Sequence, residues 1–240
     1  MHSDATLKKF GFDSQADLDA HLKLVEDRQA EIWGEEAKAA LYARVAAVKV
    51  DNAGVAQAAR SAQTATNKAS AVHWVRKAAD LWMEGVAPIS ACKPGCSQCC
   101  HIPVTLNRFE AEVIAAQIGV KLASPKLPKL LIPTVEGLQA DKAKFTDYIK
   151  GFNAVPCTFL KNNECSIYEN RPVICRGHMS LDSDALLCKL TPDGVDGVPY
   201  ADSTKLTDAL MSAGARSIKD IECADIRDWF PVQQKGKASP

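Results

Sequence analysis

The sequence predicts a mainly α fold in which a helical scaffold carries an irregular cysteine-rich metal-binding module. Two observations point there. Apolar residues recur at three- and four-residue intervals through residues 14–87, and eight of the nine cysteines fall between Cys92 and Cys188. The first pattern lines apolar side chains along one face of a helix. The second concentrates soft sulfur donors in less than half of a 240-residue chain, which simple packing does not require.

Leu18, Leu22, Val25, Ile32 and Trp33 outline a first helix, interrupted at Gly34. Leu41, Val45 and Val48 continue a helical stripe as far as the Asp51-Asn52-Ala53-Gly54 break. The Ala- and Ser-rich stretch 55–65 suits a helix packed closely on its neighbours. Ser70 is a candidate cap for the clearest amphipathic helix, marked by Val72, Val75, Ala79, Trp82 and Val86. Asn107 with Glu110 has capping-box spacing and predicts a helix to about Ile118. Pro125 and Pro128 mark a loop, and Leu138, Phe145, Ile149 and Phe152 predict a helix near 135–153. Cys157–Tyr168 reads as two short apolar pieces around Asn162-Asn163, either a small hairpin or extended loops. A short helix is expected at 183–190 from Ser183, and one or two more at 203–221, broken around Gly214. Trp229 and Phe230 are expected to pin the C-terminal region, with 233–240 a mobile tail. The resulting division is a helical section at 1–87, a cysteine module at 88–190 and a helical extension at 191–240.

A chain of this length can bury a substantial core, so it does not need disulfides to compensate for small size. Hydrophobic residues make up 47% and charged residues 24%, and 29 basic side chains balance 29 acidic ones. The balance is local too, with 11 basic and 12 acidic residues through position 91. No broad basic field is available for nucleic acid. The first thirty residues contain no apolar signal core, and no apolar run nears the roughly 18 residues of a membrane span. A soluble cytoplasmic protein is the expectation. In a reducing compartment, clustered cysteines read as metal ligands or redox thiols before they read as disulfides.

Cys92-x3-Cys96-x2-Cys99-Cys100 supplies a first half-site, with Pro94-Gly95 bending the backbone between its first two thiols. Cys157, Cys165, Cys175 and Cys188 supply further soft ligands. Four thiolates complete one zinc ion or one iron–sulfur cluster, so eight cysteines allow two centres, or one centre plus structural thiols. Adjacent Cys99 and Cys100 either share one centre across a bent backbone or face different ones. Cys223 stands apart and reads as a buried free thiol.

The segment Cys92-Lys93-Pro94-Gly95-Cys96-Ser97-Gln98-Cys99-Cys100, followed by Cys157-Thr158-Phe159-Leu160 and Cys165-Ser166-Ile167-Tyr168-Glu169-Asn170-Arg171-Pro172-Val173-Ile174-Cys175-Arg176, resembles the YkgJ family of cysteine-cluster proteins. The resemblance runs over about residues 88–190. It implies a zinc- or iron-chelating module, related to one found in flagellin lysine N-methylases. It brings no methyltransferase active-site residues, and no glycine-rich strand-to-helix motif marks a pocket for S-adenosylmethionine. Cys92-x3-Cys96-x2-Cys99 also matches the radical S-adenosylmethionine motif, but no strand–helix alternation follows it.

Arg171 and Arg176 bracket Cys175. They can offset a sulfur-rich anionic site, or pair with Glu164 or Glu169. His101 and His178 are candidates for placement around the metal, donating to sulfur rather than ligating directly. Glu110 is accounted for by its cap, Tyr168 by packing, and Trp74, Trp82 and His73 by the helix that carries them. The preferred expectation is an iron–sulfur protein, of 4Fe–4S type, or an iron-binding protein acting in redox transfer or cofactor-assisted modification. The alternatives are a zinc-stapled module that binds a protein partner and an enzyme that modifies protein lysines.

Overall fold

A computed structural model describes residues 1–125, 138–194 and 197–231. Helices α1 (Asp4–Lys9) and α2 (Gln15–Trp33) start at Ser3 and Ser14, whose side chains accept the amides of Thr6 and Asp17. Leu7, Phe12 and Leu18 form a small apolar cluster between them. Helix α3 (Glu35–Ala46) begins at the expected Gly34 interruption. Asp51 caps α4 (Asn52–Gln63), and Asn67 caps α5 (Lys68–Val86). The expected cap at Ser70 is corrected here: Asn67 is the extended residue, and its side chain accepts the Ser70 amide.

The described chain continues through β1 (Thr105–Asn107), α6 (Arg108–Ile118), α7 (Leu138–Lys150), β2 (Leu160–Lys161), β3 (Glu164–Cys165), α8 (Val173–Gly177), α9 (Thr204–Gly214), β4 (Cys223–Asp225) and α10 (Ile226–Trp229). The protein is mainly α, with two small two-stranded sheets. Residues 135–137 of the expected helix at 135–153, and the expected tail at 233–240, lie outside the described residues. Among those residues, no helix is long and apolar enough to cross a membrane.

Two cores divide the work. In the first, Ala58 and Ala62 of α4 meet Ala71, Val75, Ala78 and Ala79 of α5, where small side chains let the helices approach closely. Phe109 and Val113 of α6, Val173 of α8, and Leu206, Leu210 and Ala213 of α9 close this core. The second joins Val104, Leu106, Ala111 and Ile114 to Ala224, Ile226, Trp229 and Phe230. It forms because β4 pairs antiparallel with β1, placing Thr105 opposite Asp225 and Asn107 opposite Cys223. Trp229 and Phe230 are buried as expected, and Trp229 Nε1 donates to the Leu106 carbonyl at 3.1 Å.

Two local expectations are resolved by side chains competing for backbone groups. Asn107 caps α6 by accepting the Glu110 amide at 2.9 Å, but Glu110 does not reach back to complete the box. Its carboxylate instead accepts the Val173 amide at 2.8 Å and anchors the start of α8. Residues 183–190 form turns rather than a helix. Asp182 takes the Ser183 amide and Asp184 the Leu186 amide, capturing donors that a helix would use. The 157–168 alternatives resolve to the hairpin: Leu160 pairs with Cys165, and Asn162 and Asn163 adopt φ of 51° and 62°. Two successive left-handed residues are what a tight type I′ turn needs, and asparagine tolerates that region.

Gly214 ends α9 directly against the Phe109 ring, where an added Cβ would lie 2.0 Å from Cε2. Gly214→Ala is therefore expected to lower stability by about 1–3 kcal/mol through overpacking, measured by urea unfolding of the metal-loaded protein. An unchanged midpoint would show that Phe109 gives way freely.

Candidate metal centre

The first four cysteines lie on turns whose hydrogen bonds can be traced one by one. Cys92 follows a 3-10 turn at Ala87–Ile89, and its amide donates to Ser90 Oγ at 3.1 Å. The Ala91 amide and Ser90 hydroxyl both donate to the Ser180 carbonyl at 2.9 Å, while the Ser180 amide donates to Cys92 Sγ at 3.4 Å. Gly95 at φ +83° allows the turn in which the Cys96 amide meets the Lys93 carbonyl. Cys99 and Cys100 sit in a 3-10 helix spanning Gln98–His101.

The later cysteines are brought back to this segment by backbone contacts. The Cys157 amide donates to the Cys100 carbonyl at 2.7 Å, and the Ala154 amide to the His101 carbonyl at 2.9 Å. The β2–β3 hairpin folds Cys165 beside Cys157, helped by Leu160 N–H to the Cys157 carbonyl and Ser166 N–H to the Phe159 carbonyl. Cys175 rides on α8, which Glu110 holds, and with Cys157 it packs against the second core. Cys188 follows the turns at 182–186. Arg28 of α2 clamps them, donating to Asp182 at 2.8 Å, Ser183 at 2.7 Å and Asp184 at 3.1 Å.

Arg227 fastens the C-terminal strand to this assembly. It is 7% exposed, and its Nη1 pairs with both Asp225 oxygens at 2.9 and 3.0 Å. Nη2 donates to the carbonyls of Cys100, Ile102 and Val155, and Nε to that of Pro156. Asp225 also accepts the Val104 amide at 2.8 Å. One guanidinium thus holds both cysteine-bearing backbones at once.

Without metal, most of these thiols resist ionisation. Burial pushes Cys157 and Cys188 up to about 11, raises Cys165, and raises Cys175 well above the ordinary thiol range. Cys100 is lowered to about 7, chiefly by its hydrogen bond with the Cys99 thiol and further by Arg227; the same bond pushes Cys99 up. A soft metal displaces thiol protons on binding, so occupancy is linked to proton release. Among the described residues, no group of three or more His, Cys, Asp or Glu side chains is drawn closely enough to hold a metal ion as it stands. The donor set itself is sulfur throughout, which suits zinc or iron and not a hard cation.

The expected neighbours fall into place unevenly. Arg176 pairs with Asp80, donates to the Arg171 carbonyl at 3.2 Å and takes the Glu169 carbonyl. Arg171 stacks on Tyr168, with Cζ 3.7 Å from the ring centroid, and its Nη2 meets Met83 Sδ. The pairing anticipated with the Glu164 or Glu169 carboxylates is replaced by these contacts to α5 and to backbone carbonyls. His101 Nδ1 lies 3.1 Å from the Ser97 carbonyl, while His178 stacks on Tyr200 at 4.1 Å. Trp74 and Trp82 pack on the first core. Cys223 lies in β4 with its thiol donating to the Ile221 carbonyl. Sequence reasoning missed Arg227, Asp225, Ser180 and Tyr200. Asp225-Ile226-Arg227-Asp228-Trp229-Phe230 did carry a signal, since charges interleaved with large apolar residues suggest buried pairing.

Thiols delivered by separate turns onto a helical scaffold, braced by buried arginines, define a metal-binding cysteine-cluster protein. Residues 91–191 match the family model "CxxCxxCC: Putative zinc- or iron-chelating domain", in agreement with the resemblance to cysteine-cluster proteins. No curated protein and no solved structure matches the chain.

Arg227→Leu is expected to cost about 3–5 kcal/mol, because it strands a buried Asp225 and frees four carbonyls. Denaturant unfolding of the metal-free protein checks this, and a loss under about 1 kcal/mol would mean that water replaces the guanidinium easily.

Proposed function

We propose that the chain binds iron through its cysteine thiolates, as an iron–sulfur centre, and serves redox transfer or cofactor-assisted modification of a protein substrate. The observation that carries this reading is the setting of the sulfurs. Cys157 and Cys175 pack on an apolar wall that includes Phe159, Ile167, Trp229 and Phe230. Such a wall limits water and tunes the reduction potential of a sulfur-bound cluster. Bound there, an iron–sulfur cluster supplies one-electron chemistry. Arg227 and the Arg171–Arg176 pair contribute positive charge beside a thiolate-rich, anionic site, and the chain's remaining task is to hold the thiolates in place.

A second reading is favoured by the cysteine-bearing segments themselves. Apart from the five-residue helix α8 that carries Cys175, they are 3-10 and loop turns and a hairpin of two-residue strands, with little regular structure of their own. Zinc held by four thiolates would staple such segments, and its binding energy would appear as folding stability. In that case the helical section would present the surface for a protein partner.

Anaerobic purification separates the two. The iron reading expects visible sulfur-to-iron absorption together with iron and acid-labile sulfide. Colourless protein carrying zinc and no iron would replace it with the structural reading.

A further inference from the structure

Helices α1 and α2 stand outside the two large cores. Their apolar side chains close on one another through Leu7, Phe12 and Leu18, with Phe10 and Leu22 packed against them. Of the 19 residues of α2, Leu18 is the buried one, and α3 buries none. Charged side chains fasten this unit to the loop at 182–194. Arg28 takes Asp182, Ser183 and Asp184 together. Lys189 Nζ sits 3.8 Å from the centroid of the buried Phe12 ring, and His2 Nε2 lies 3.3 Å from Asp193 Oδ2. Cys188 is part of the loop so held.

The fastening continues inward to the first cysteine turn. The Asp182 side chain is 2% exposed, and its Oδ1 accepts Arg28 Nη1 at 2.8 Å. Its Oδ2 is buried without a partner among the described residues, so this carboxylate leans on Arg28. The Asp182 amide donates to Ser180 Oγ at 3.3 Å. Ser180 in turn sends its amide to Cys92 Sγ, and its carbonyl accepts both the Ser90 hydroxyl and the Ala91 amide. Hydrogen bonds and one ion pair thus lead from α2 to Cys92. Other cysteine segments have other anchors: Arg227 holds the backbone at 100–102 and 155–156, and Glu110 holds the start of α8.

We propose that α1 and α2 form a detachable strap on the cysteine module, docked through Arg28. In place, the strap fixes the Cys188 loop and, through Ser180, the Cys92 turn. When it lifts, those two segments loosen together, while Cys157, Cys165 and Cys175 stay braced. The swing point is Gly34, whose extended backbone separates α2 from α3. Helix α3 is tied separately, by Arg44 to the Ile89 carbonyl at 2.8 Å and by Leu41 and Val48 against Val86, Met179 and Leu181. Lifting the strap leaves both large cores intact, so it costs less than global unfolding. The module thereby has one side that opens first to an incoming soft ion or thiol. The inference concerns how the thiol-bearing segments are held, and it stands whichever metal they bind.

Native-state hydrogen exchange of the full, reduced, metal-free chain tests the strap. Amides of α2, of residues 180–191 and of residues 90–92 should open as one unit, at denaturant concentrations below those that open α5 and α9. Arg28→Ala should speed exchange in all three segments by about tenfold or more, and leave 157–168 and 173–177 within about twofold. Alkylation of Cys188, followed by peptide mass spectrometry, should rise in step. Combining Arg28→Ala with Asp182→Asn removes the stranded carboxylate but does not restore the strap, so fast exchange should persist in the pair. Its recovery would mean that a buried charge alone caused the effect, and overturns the strap. So does acceleration confined to α2, equal acceleration through the whole chain, or none. Should Arg28→Ala fail to fold, Arg28→Lys keeps the charge without the guanidinium fork and should give the same pattern at smaller size. Independent opening of the three segments in the wild-type chain overturns the proposal without any variant.

Discussion

The structure depends on one buried ion pair, Arg227 with Asp225. A guanidinium taken out of water is costly unless every donor finds a partner. Here bidentate pairing to Asp225 and four backbone carbonyls provide those partners. The carbonyls belong to residues 100–102 and 155–156, which are the two backbones that carry Cys100 and Cys157. Strand β4 positions the pair, and its contact with β1 depends on the second core. Residues outside the cysteine motif therefore decide the spacing inside it.

A second buried network couples the helical scaffold to the same site. Glu110 of α6 is fully buried, and burial raises its pKa against the opposing pull of the Val173 amide, Arg76 and Arg176. Its acceptor oxygen fixes the start of α8, while Arg176, 96 residues from its partner in sequence, closes onto Asp80 of α5. Cys175 sits between these two attachments. Its direction is set by α5 and α6 together, so packing in the first core reaches the thiol through short rigid links. Arg28 performs the corresponding task for Cys188, reaching from α2 to the turns at 182–184.

Much of this was readable from residue patterns where the relevant physics is local. The Gly34 interruption, the Asn107 cap, the Asn162-Asn163 turn and the burial of Trp229 and Phe230 each follow from the conformational preference or hydrophobicity of the residues concerned. Errors arose where a polar side chain had two local uses. Ser70 and Asn67 both suit a cap, and the chain uses Asn67. The residues after Ser183 have helical composition, yet Asp182 and Asp184 divert their amides. Glu110 has capping-box spacing, yet its carboxylate finds a partner 63 residues away.

The sequence alone determined that this is a mainly helical chain with a thiol-rich module, because periodicity, donor softness and motif spacing are properties of the residues themselves. Only tertiary structure decided which thiols become neighbours. Cys100 and Cys157 are 57 positions apart and meet through one amide–carbonyl bond. Proximity of sulfur to sulfur depends on backbone direction and on distant braces such as Arg227, and neither is encoded in the spacing of cysteines along the chain.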